Sequence, residues 1–222
     1  MDYNAVKIET LSLGSLQNNC YLLHDNEKVI IIDPSDEAIF IAEKIFQKNL
    51  KSIAIIATHG HFDHILAAGE LQALLKIPFY IHKRDEFLLK TMNQRARFFL
   101  KQKRDYSLPS DIKFLKKGFF DFGKCRLKII ETPGHTPGSL CIYLDPRRCA
   151  GISAPILFSG DTLFKNDIGR YDFSYSNKNQ LKKSLELIFQ LPKETIVYPG
   201  HGEPTTLLSS RQSVLRLLAH LL

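Results

Sequence analysis

The stretch Thr58-His59-Gly60-His61-Phe62-Asp63-His64 carries four metal-binding side chains and directly follows the apolar run Ile53–Ala57. Side chains two positions apart on an extended chain point the same way, so His59 and His61 can bind one ion. The last two ligands of the stretch enter the following turn and can face a second ion. Because three imidazoles and a carboxylate at one strand end are costly to bury alone, the stretch predicts a metalloenzyme.

Three later segments repeat this design, in which an apolar run ends at a small or turn residue and a ligand follows. A glycine precedes the ligand each time, and glycine lets the backbone turn sharply and approach an ion closely. The segments are Leu127–Ile130 leading to Thr132-Pro133-Gly134-His135, Ile156–Ser159 leading to Gly160-Asp161, and Thr195–Tyr198 leading to Pro199-Gly200-His201.

The seven candidate ligands divide into two groups. One group is His59, His61 and His135; the other is Asp63, His64 and His201; Asp161 is the candidate bridge between two ions. Two divalent ions about 3.5 to 4 Å apart can share a hydroxide whose pKa falls towards about 7. The pattern therefore predicts metal-assisted hydrolysis, with Asp63 acting beside a metal-bridging hydroxide. Zinc is the expected metal, with iron or manganese as alternatives.

Size and composition favour a single domain over residues 1–222, because 222 residues with 44% hydrophobic content suffice for one sizeable core. No apolar run is long enough to cross a bilayer, and the first residues lack the features of a secretory signal, so we expect a cytoplasmic protein. The four cysteines are far apart and form no C-x-x-C pair. We expect them to be reduced, mostly buried thiols.

The positive charge of the chain is concentrated in residues 83–128. This segment holds 14 basic and five acidic residues, whereas the whole chain has a net charge of +7. A basic face for nucleic acid is one interpretation, and a solvated helix face is the other. We expect the solvated face, since the chain shows no long extra arm for gripping RNA, and we expect neither a membrane nor a nucleic acid as partner.

Apolar patterns predict strands in both halves of the chain, with helices interrupting each half. The strands begin as an antiparallel meander over residues 6–32. Two sheets packed together with helices outside is the economical architecture, a layered α/β fold. The predicted helices are Ala38–Gln47, Ile65–Leu75, residues 83–104 with a break near Asn93, Lys178–Gln190, and a C-terminal helix from about Leu207.

Four motifs, T-H-G-H-F-D-H, T-P-G-H-T-P-G-S, S-G-D-T-L-F and P-G-H-G, resemble in this order the metallo-β-lactamase superfamily. The resemblance covers nearly the whole chain. It implies a single-domain, four-layer αββα sandwich of the α/β class, with a dinuclear site in a shallow groove at one edge of the sheets. Asp161 stands where the antibiotic-hydrolysing branch usually has Cys, so the resemblance implies an activity other than lactam hydrolysis.

Gly160–Phe164 followed by Ile168–Phe173 is similar to the short glyoxalase II type, the hydroxyacylglutathione hydrolases. This implies hydrolysis of a thioester or related acyl ester of a small molecule, with Arg170 and Tyr171 as expected substrate contacts. Two features depart from glyoxalase II enzymes proper. Only 21 residues follow His201, where those enzymes have a helical domain, and Glu203 replaces a Tyr that touches glutathione. The thiol carrier therefore stays open.

Other functions are compatible with the same motifs. The persulfide dioxygenases share them and use a single Fe(II), here matching His59, His135 and Asp161. An RNase-like phosphodiesterase is a further alternative, whereas a noncatalytic binding module would be expected to have lost a ligand. Arg170 has its own alternative, because it can pair with Asp172 or Asp167 to lock its loop. The oligomeric state is left open.

Overall fold

The computed structural model describes residues 6–25, 27–123, 125–149 and 151–220, without the side chains of residue 215 and residues 218–220. Contacts divide these residues into a first unit up to Leu115 and a second unit from Lys116 onward. The first unit contains strands β1 (Lys7–Leu13), β2 (Asn18–His24), β3 (Lys28–Ile32), β4 (Lys51–Ile56), β5 (Phe79–His82) and β6 (Ile112–Leu115), and helices α1 (Ala38–Gln47), α2 (Ala68–Leu75), α3 (Glu86–Lys90) and α4 (Met92–Leu100).

The sheet of the first unit is mixed, with its strands in the order β1-β2-β3-β4-β5-β6. The predicted antiparallel meander is confirmed in β1 to β3, and β3 to β6 run parallel. Ile32 of β3 lies in register with Ile56 of β4. Because parallel strands end at the same edge of a sheet, Asp33 and the loop that begins at Ala57 emerge side by side.

Helix α1 has the predicted bounds and buries Ala38, Ile41, Ala42 and Ile45, whose spacing marks one helical face. The helix predicted over residues 83–104 is two helices, α3 and α4, which meet at Thr91. The Thr91 hydroxyl donates to the carbonyl oxygens of the preceding turn. The predicted break is therefore confirmed two residues earlier than expected.

The second unit contains strands β7 (Gly118–Phe122), β8 (Cys125–Glu131), β9 (Leu140–Leu144), β10 (Ile156–Gly160), β11 (Ile196–Pro199) and β12 (Thr205–Thr206), and helices α5 (Lys178–Ile188) and α6 (Leu207–His220). Its sheet is also mixed, in the order β12-β11-β10-β9-β8-β7. Strands β10 and β11 are parallel, with Gly160 in register with Pro199. The residues that follow these two positions therefore leave the sheet at one edge. Strand β12 is too short for the pattern of the sequence to reveal.

The expectation that all four cysteines are reduced thiols is wrong for two of them. Cys125 and Cys149 form a disulfide that spans 24 positions of the chain. An isolated antiparallel β-bridge joins the same two residues, so the backbone already holds them side by side. Spacing in the sequence gives no sign of this bridge. Cys20 and Cys141 are free and buried, as expected.

Among the described helices, none combines the length and the apolar character needed to cross a membrane. The first five residues, on which the expectation about a secretory signal rests, lie outside the described part of the chain. The cytoplasmic location and the single domain over residues 1–222 stay predictions.

Candidate metal centre

The first unit brings together the ligands of the opening motif directly after β4. The rings of His59 and His61 lie 4.7 Å apart, and those of His59 and His64 lie 4.2 Å apart, between centroids. A single 3-10 turn, Phe62–His64, carries the last two ligands. The predicted change from extended chain to turn is thus present. It brings a ligand atom of His59 within 4.8 Å of one of His61, and the same holds for Asp63 and His64.

One buried carboxylate, Asp33, orients two of these histidines. Its Oδ2 atom accepts hydrogen bonds from His64 Nδ1 at 3.1 Å and from the Thr58 hydroxyl at 2.7 Å. Because the Thr58 hydroxyl proton is used on Asp33, Thr58 Oγ1 accepts from His59 Nδ1, 3.1 Å away. Both imidazoles therefore carry their proton on Nδ1, which makes Nε2 the candidate metal-binding nitrogen. Thr58 thus links the Asp33 carboxylate to the His59 ring.

Three polar residues outside the predicted ligand set support the motif. Asp33 is the first. Asp85, which is fully buried, accepts a hydrogen bond from the backbone N–H of Gly60 at 2.8 Å, and Asn18 donates to Asp63 Oδ2 at 2.9 Å. The position of Asp33 after the buried strand β3 was the one available signal. Asp85 and Asn18 have none, because they act across distances of 25 and 45 positions in the chain.

The second unit brings together the remaining ligands, His135, Asp161 and His201. Asp161 Oδ2 lies 3.6 Å from His135 Nε2 and 3.8 Å from His201 Nε2. The carbonyl oxygen of Arg170, which can only accept, lies 2.8 Å from His135 Nδ1 and places the ring proton there. Asp161 therefore has one oxygen facing two imidazoles. Its role as a bridge between two ions stays a prediction.

Glycine backbones shape this edge of the second sheet. Gly134 and Gly160, each directly before a ligand, have φ angles of 146° and 48°. Gly200 has no positive φ; instead, its N–H donates to the Gly160 carbonyl at 2.9 Å. Gly169 was not predicted as important, yet a Cβ there would overlap the carbonyl oxygen of Asp161. The sharp turn is thus confirmed at two of the three expected positions.

The Arg170 guanidinium pairs with Asp172, with two hydrogen bonds of 2.9 and 2.8 Å. These bonds lower the pKa of the Asp172 carboxyl and raise that of Arg170. The pair is largely exposed. Tyr171 packs against the core of the second unit, and Glu203 pairs with Lys165 at 2.6 Å. The substrate contacts expected of Arg170 and Tyr171 stay predictions.

The donor set fits divalent transition metals. Imidazole nitrogen and carboxylate oxygen suit zinc, iron and manganese, and each of His59, His64 and His135 has an acceptor bound at Nδ1. An acceptor behind a histidine is the usual support of a metal-binding imidazole. The polar surroundings of the ligands are therefore those that a metal site requires.

Histidine and aspartate ligands after the strands of two mixed sheets define the class of α/β metallohydrolases. The family model of the metallo-β-lactamase superfamily matches residues 13–201. The chain belongs to this superfamily, and the predicted α/β sandwich fold is confirmed.

Relatives and solved structures agree with this assignment. The chain is 31% identical to the hydroxyacylglutathione hydrolase GloC of Haemophilus influenzae, over 94% of this chain and 96% of that protein. A crystal structure of the BLEG-1 B3 metallo-β-lactamase matches with a TM-score of 0.82 and 30% identity, over 93% and 97% of the two chains. The di-iron-bound form of TTHA1623 matches with a TM-score of 0.79 and 33% identity, over 92% and 98%.

Proposed function

We propose that the protein is a dinuclear metal-dependent hydrolase of a thioester or related acyl ester, of the hydroxyacylglutathione hydrolase type. The observation that carries the proposal is the set of acceptors that fix the Nδ1 protons of His59, His64 and His135. An acceptor that fixes the ring proton on Nδ1 leaves Nε2 as the nitrogen that can bind a metal. The similarity to GloC supports the thioester, and the di-iron form of TTHA1623 supports two ions.

The seven predicted ligands keep their assignment in this proposal. One ion would be held by His59, His61 and His135 and the second by Asp63, His64 and His201, with Asp161 as the proposed shared ligand. Two bound divalent ions supply a Lewis acid for the carbonyl group and lower the pKa of a water molecule. We expect zinc, with iron or manganese as alternatives.

The protein side chains orient the ligands and offset charge. Asp63 and Asp161 each bring a negative charge to a site that otherwise holds neutral imidazoles. Asn18 donates to Asp63 Oδ2 and so helps to fix the orientation of that carboxylate. Asp33, through Thr58, keeps His59 in the tautomer that binds metal.

The test combines a metal count with turnover of S-lactoylglutathione. We expect two ions per chain in the purified wild-type protein and thioester hydrolysis that a chelator abolishes. The variant Asp161→Ala should lose both metal and turnover. Asp121→Asn is the matched control, because Asp121 is an exposed carboxylate of the same unit. Full turnover in Asp161→Ala would contradict the proposal.

The other functions are distinguished by further substrates. Oxygen uptake with glutathione persulfide and one bound iron would identify a dioxygenase. Cleavage of bis-p-nitrophenyl phosphate well above thioester turnover would identify a phosphodiesterase. A cephalosporin assay tests the activity named for BLEG-1. We expect no turnover there, because Asp161 stands where the antibiotic-hydrolysing branch usually has Cys. If any of these alternative substrates has a higher kcat/KM than thioesters, the proposed thioester hydrolysis is wrong.

A further inference from the structure

The second unit has a basic cavity that involves none of the metal ligands. It has a volume of about 290 Å³, close to the lower limit for pockets that bind small organic molecules. Its charged lining residues are Arg126, Lys128, Arg147, Arg148 and Asp145. Four basic residues and one acidic residue give the cavity an excess of three positive charges, which favours an anionic ligand.

The floor of the cavity is a row of three residues on adjacent strands. Lys128 on β8 lies in register with Phe119 on β7 and with Tyr143 on β9. Side chains directly opposite each other on neighbouring strands are close enough to contact one ligand. The side chain of Lys128 therefore lies between two aromatic residues on one face of the sheet, and all three line the cavity.

Two arginines converge on one of these rings. The guanidinium carbons of Arg126 and Arg148 lie 4.7 and 5.1 Å from the centroid of the Phe119 ring. A guanidinium group held over an aromatic face is already ordered before a ligand arrives. Less conformational freedom is then lost when it binds an anion.

Partner carboxylates do not neutralise the whole cluster. Arg147 pairs with Asp145, and Arg126 lies 3.3 Å from the exposed Asp121. Within the part of the chain that the structure describes, neither Lys128 nor Arg148 forms an ion pair. Two cations therefore remain to bind an anion without first breaking an existing ion pair.

The disulfide holds the two arginines in place. Arg126 directly follows Cys125, and Arg148 directly precedes Cys149. The bond between these cysteines ties β8 to the 3-10 turn Pro146–Arg148. The cross-link thereby fixes on one ring two side chains that are 22 positions apart in the sequence.

We propose that this cavity binds a small phosphate-bearing ligand, with its phosphate on Lys128 and Arg148. Guanidinium and ammonium groups are the usual protein partners of phosphate. The site is separate from the proposed hydrolase chemistry and does not depend on it. A nucleoside phosphate and an inorganic polyphosphate share the chemistry that the cavity recognises.

The test measures the Kd of ADP by calorimetry on the metal-loaded, full-length protein. Lys128→Gln and Arg148→Gln should each raise the Kd about tenfold, which is the typical effect of losing one charge-assisted hydrogen bond. Lys128→Arg should retain the affinity. Lys183→Gln is the matched control, since it removes an exposed charge of α5 outside the cavity. Cys149→Ser should weaken binding, because it releases Arg148.

Pyrophosphate distinguishes the sources of the phosphate. If pyrophosphate and ADP have equal Kd values, the cavity recognises the phosphate groups alone. If ADP has the lower Kd, the nucleoside also contributes to binding. Unchanged affinity in both glutamine variants would overturn the proposal, and so would ADP binding that is lost only in Asp161→Ala. Tighter binding of a single-stranded oligonucleotide through the same residues would also overturn it in favour of nucleic acid. Thioester turnover is measured in parallel on the same variants. Because the cavity contains none of the metal ligands, Lys128→Gln and Arg148→Gln should change ADP binding and leave turnover unchanged.

Discussion

Asp33 and His64 form a fully buried contact in which Oδ2 of the carboxylate accepts from Nδ1 of the ring at 3.1 Å. The same carboxylate accepts from the backbone N–H and the hydroxyl of Thr58, each at 2.7 Å. Since the Thr58 hydroxyl in turn holds His59, a single residue outside the metal-binding motif determines the tautomer of two proposed ligands.

Replacing Asp33 should therefore weaken metal binding without removing a ligand. We expect Asp33→Asn to lower metal affinity about 10- to 100-fold, the usual effect of losing an outer hydrogen-bond partner. Competition with a chromophoric chelator measures the change. Asp111→Asn is the control, because Asp111 is an exposed carboxylate of the same unit. Thr58→Ser should keep the metal and Thr58→Val should weaken it; equal affinity in all four variants would contradict the role of this network.

The local elements of the fold are well predicted because burial alone determines them. Helix α1 has its predicted bounds, since its apolar residues fit the period of a helix. The ligands are likewise visible in sequence, because a metal site needs specific side chains at strand ends. These features depend on residues that are near each other in the chain.

Contacts between distant residues could not be predicted in this way. The bonds from Asp33 to His64 and from Asp85 to Gly60 join residues 31 and 25 positions apart. Likewise, nothing in the spacing of Cys125 and Cys149 distinguishes them from the two free thiols. Such partners meet only when the chain folds and the strands pair in a particular register. That register cannot be read from a single sequence.

Gly169 supports the proposed bridging ligand by its lack of a side chain. A Cβ at this position would overlap the Asp161 carbonyl oxygen and lie 3.0 Å from the His135 ring. We expect Gly169→Ala to displace both ligands and to reduce metal content and turnover together, as measured by elemental analysis and a thioester assay. Gly118→Ala is the control, because Gly118 has open space around it and only the backbone penalty applies. Full metal occupancy in Gly169→Ala would show that the loop can shift without consequence.

The Cys125–Cys149 disulfide should stabilise the chain against unfolding. A cross-link that closes a loop of 24 positions restricts the unfolded chain, and the expected contribution is about 3 kcal/mol. Urea unfolding of Cys125→Ser/Cys149→Ser measures the change in free energy of unfolding against the wild type. Cys141→Ser, which changes a free thiol, separates the cross-link from the loss of a sulfur atom. A midpoint equal to that of the oxidised wild type would mean that the loop is constrained without the bond.

Arg170 and Asp172 provide the sharpest test of the expected carrier contact. The guanidinium is held by Asp172 at the surface, while its own backbone carbonyl holds His135. If the side chain binds an anionic group of the thiol carrier, Arg170→Ala raises KM for S-lactoylglutathione about tenfold, because a charge-assisted hydrogen bond is lost. Asp172→Asn should lower KM, since it removes the carboxylate that competes for Arg170. Steady-state kinetics of both variants, with Arg170→Lys as the charge-conserving control, measure these changes. An unchanged KM with reduced metal content in Arg170→Ala would assign the residue to loop support, because the loop carries the carbonyl that orients His135.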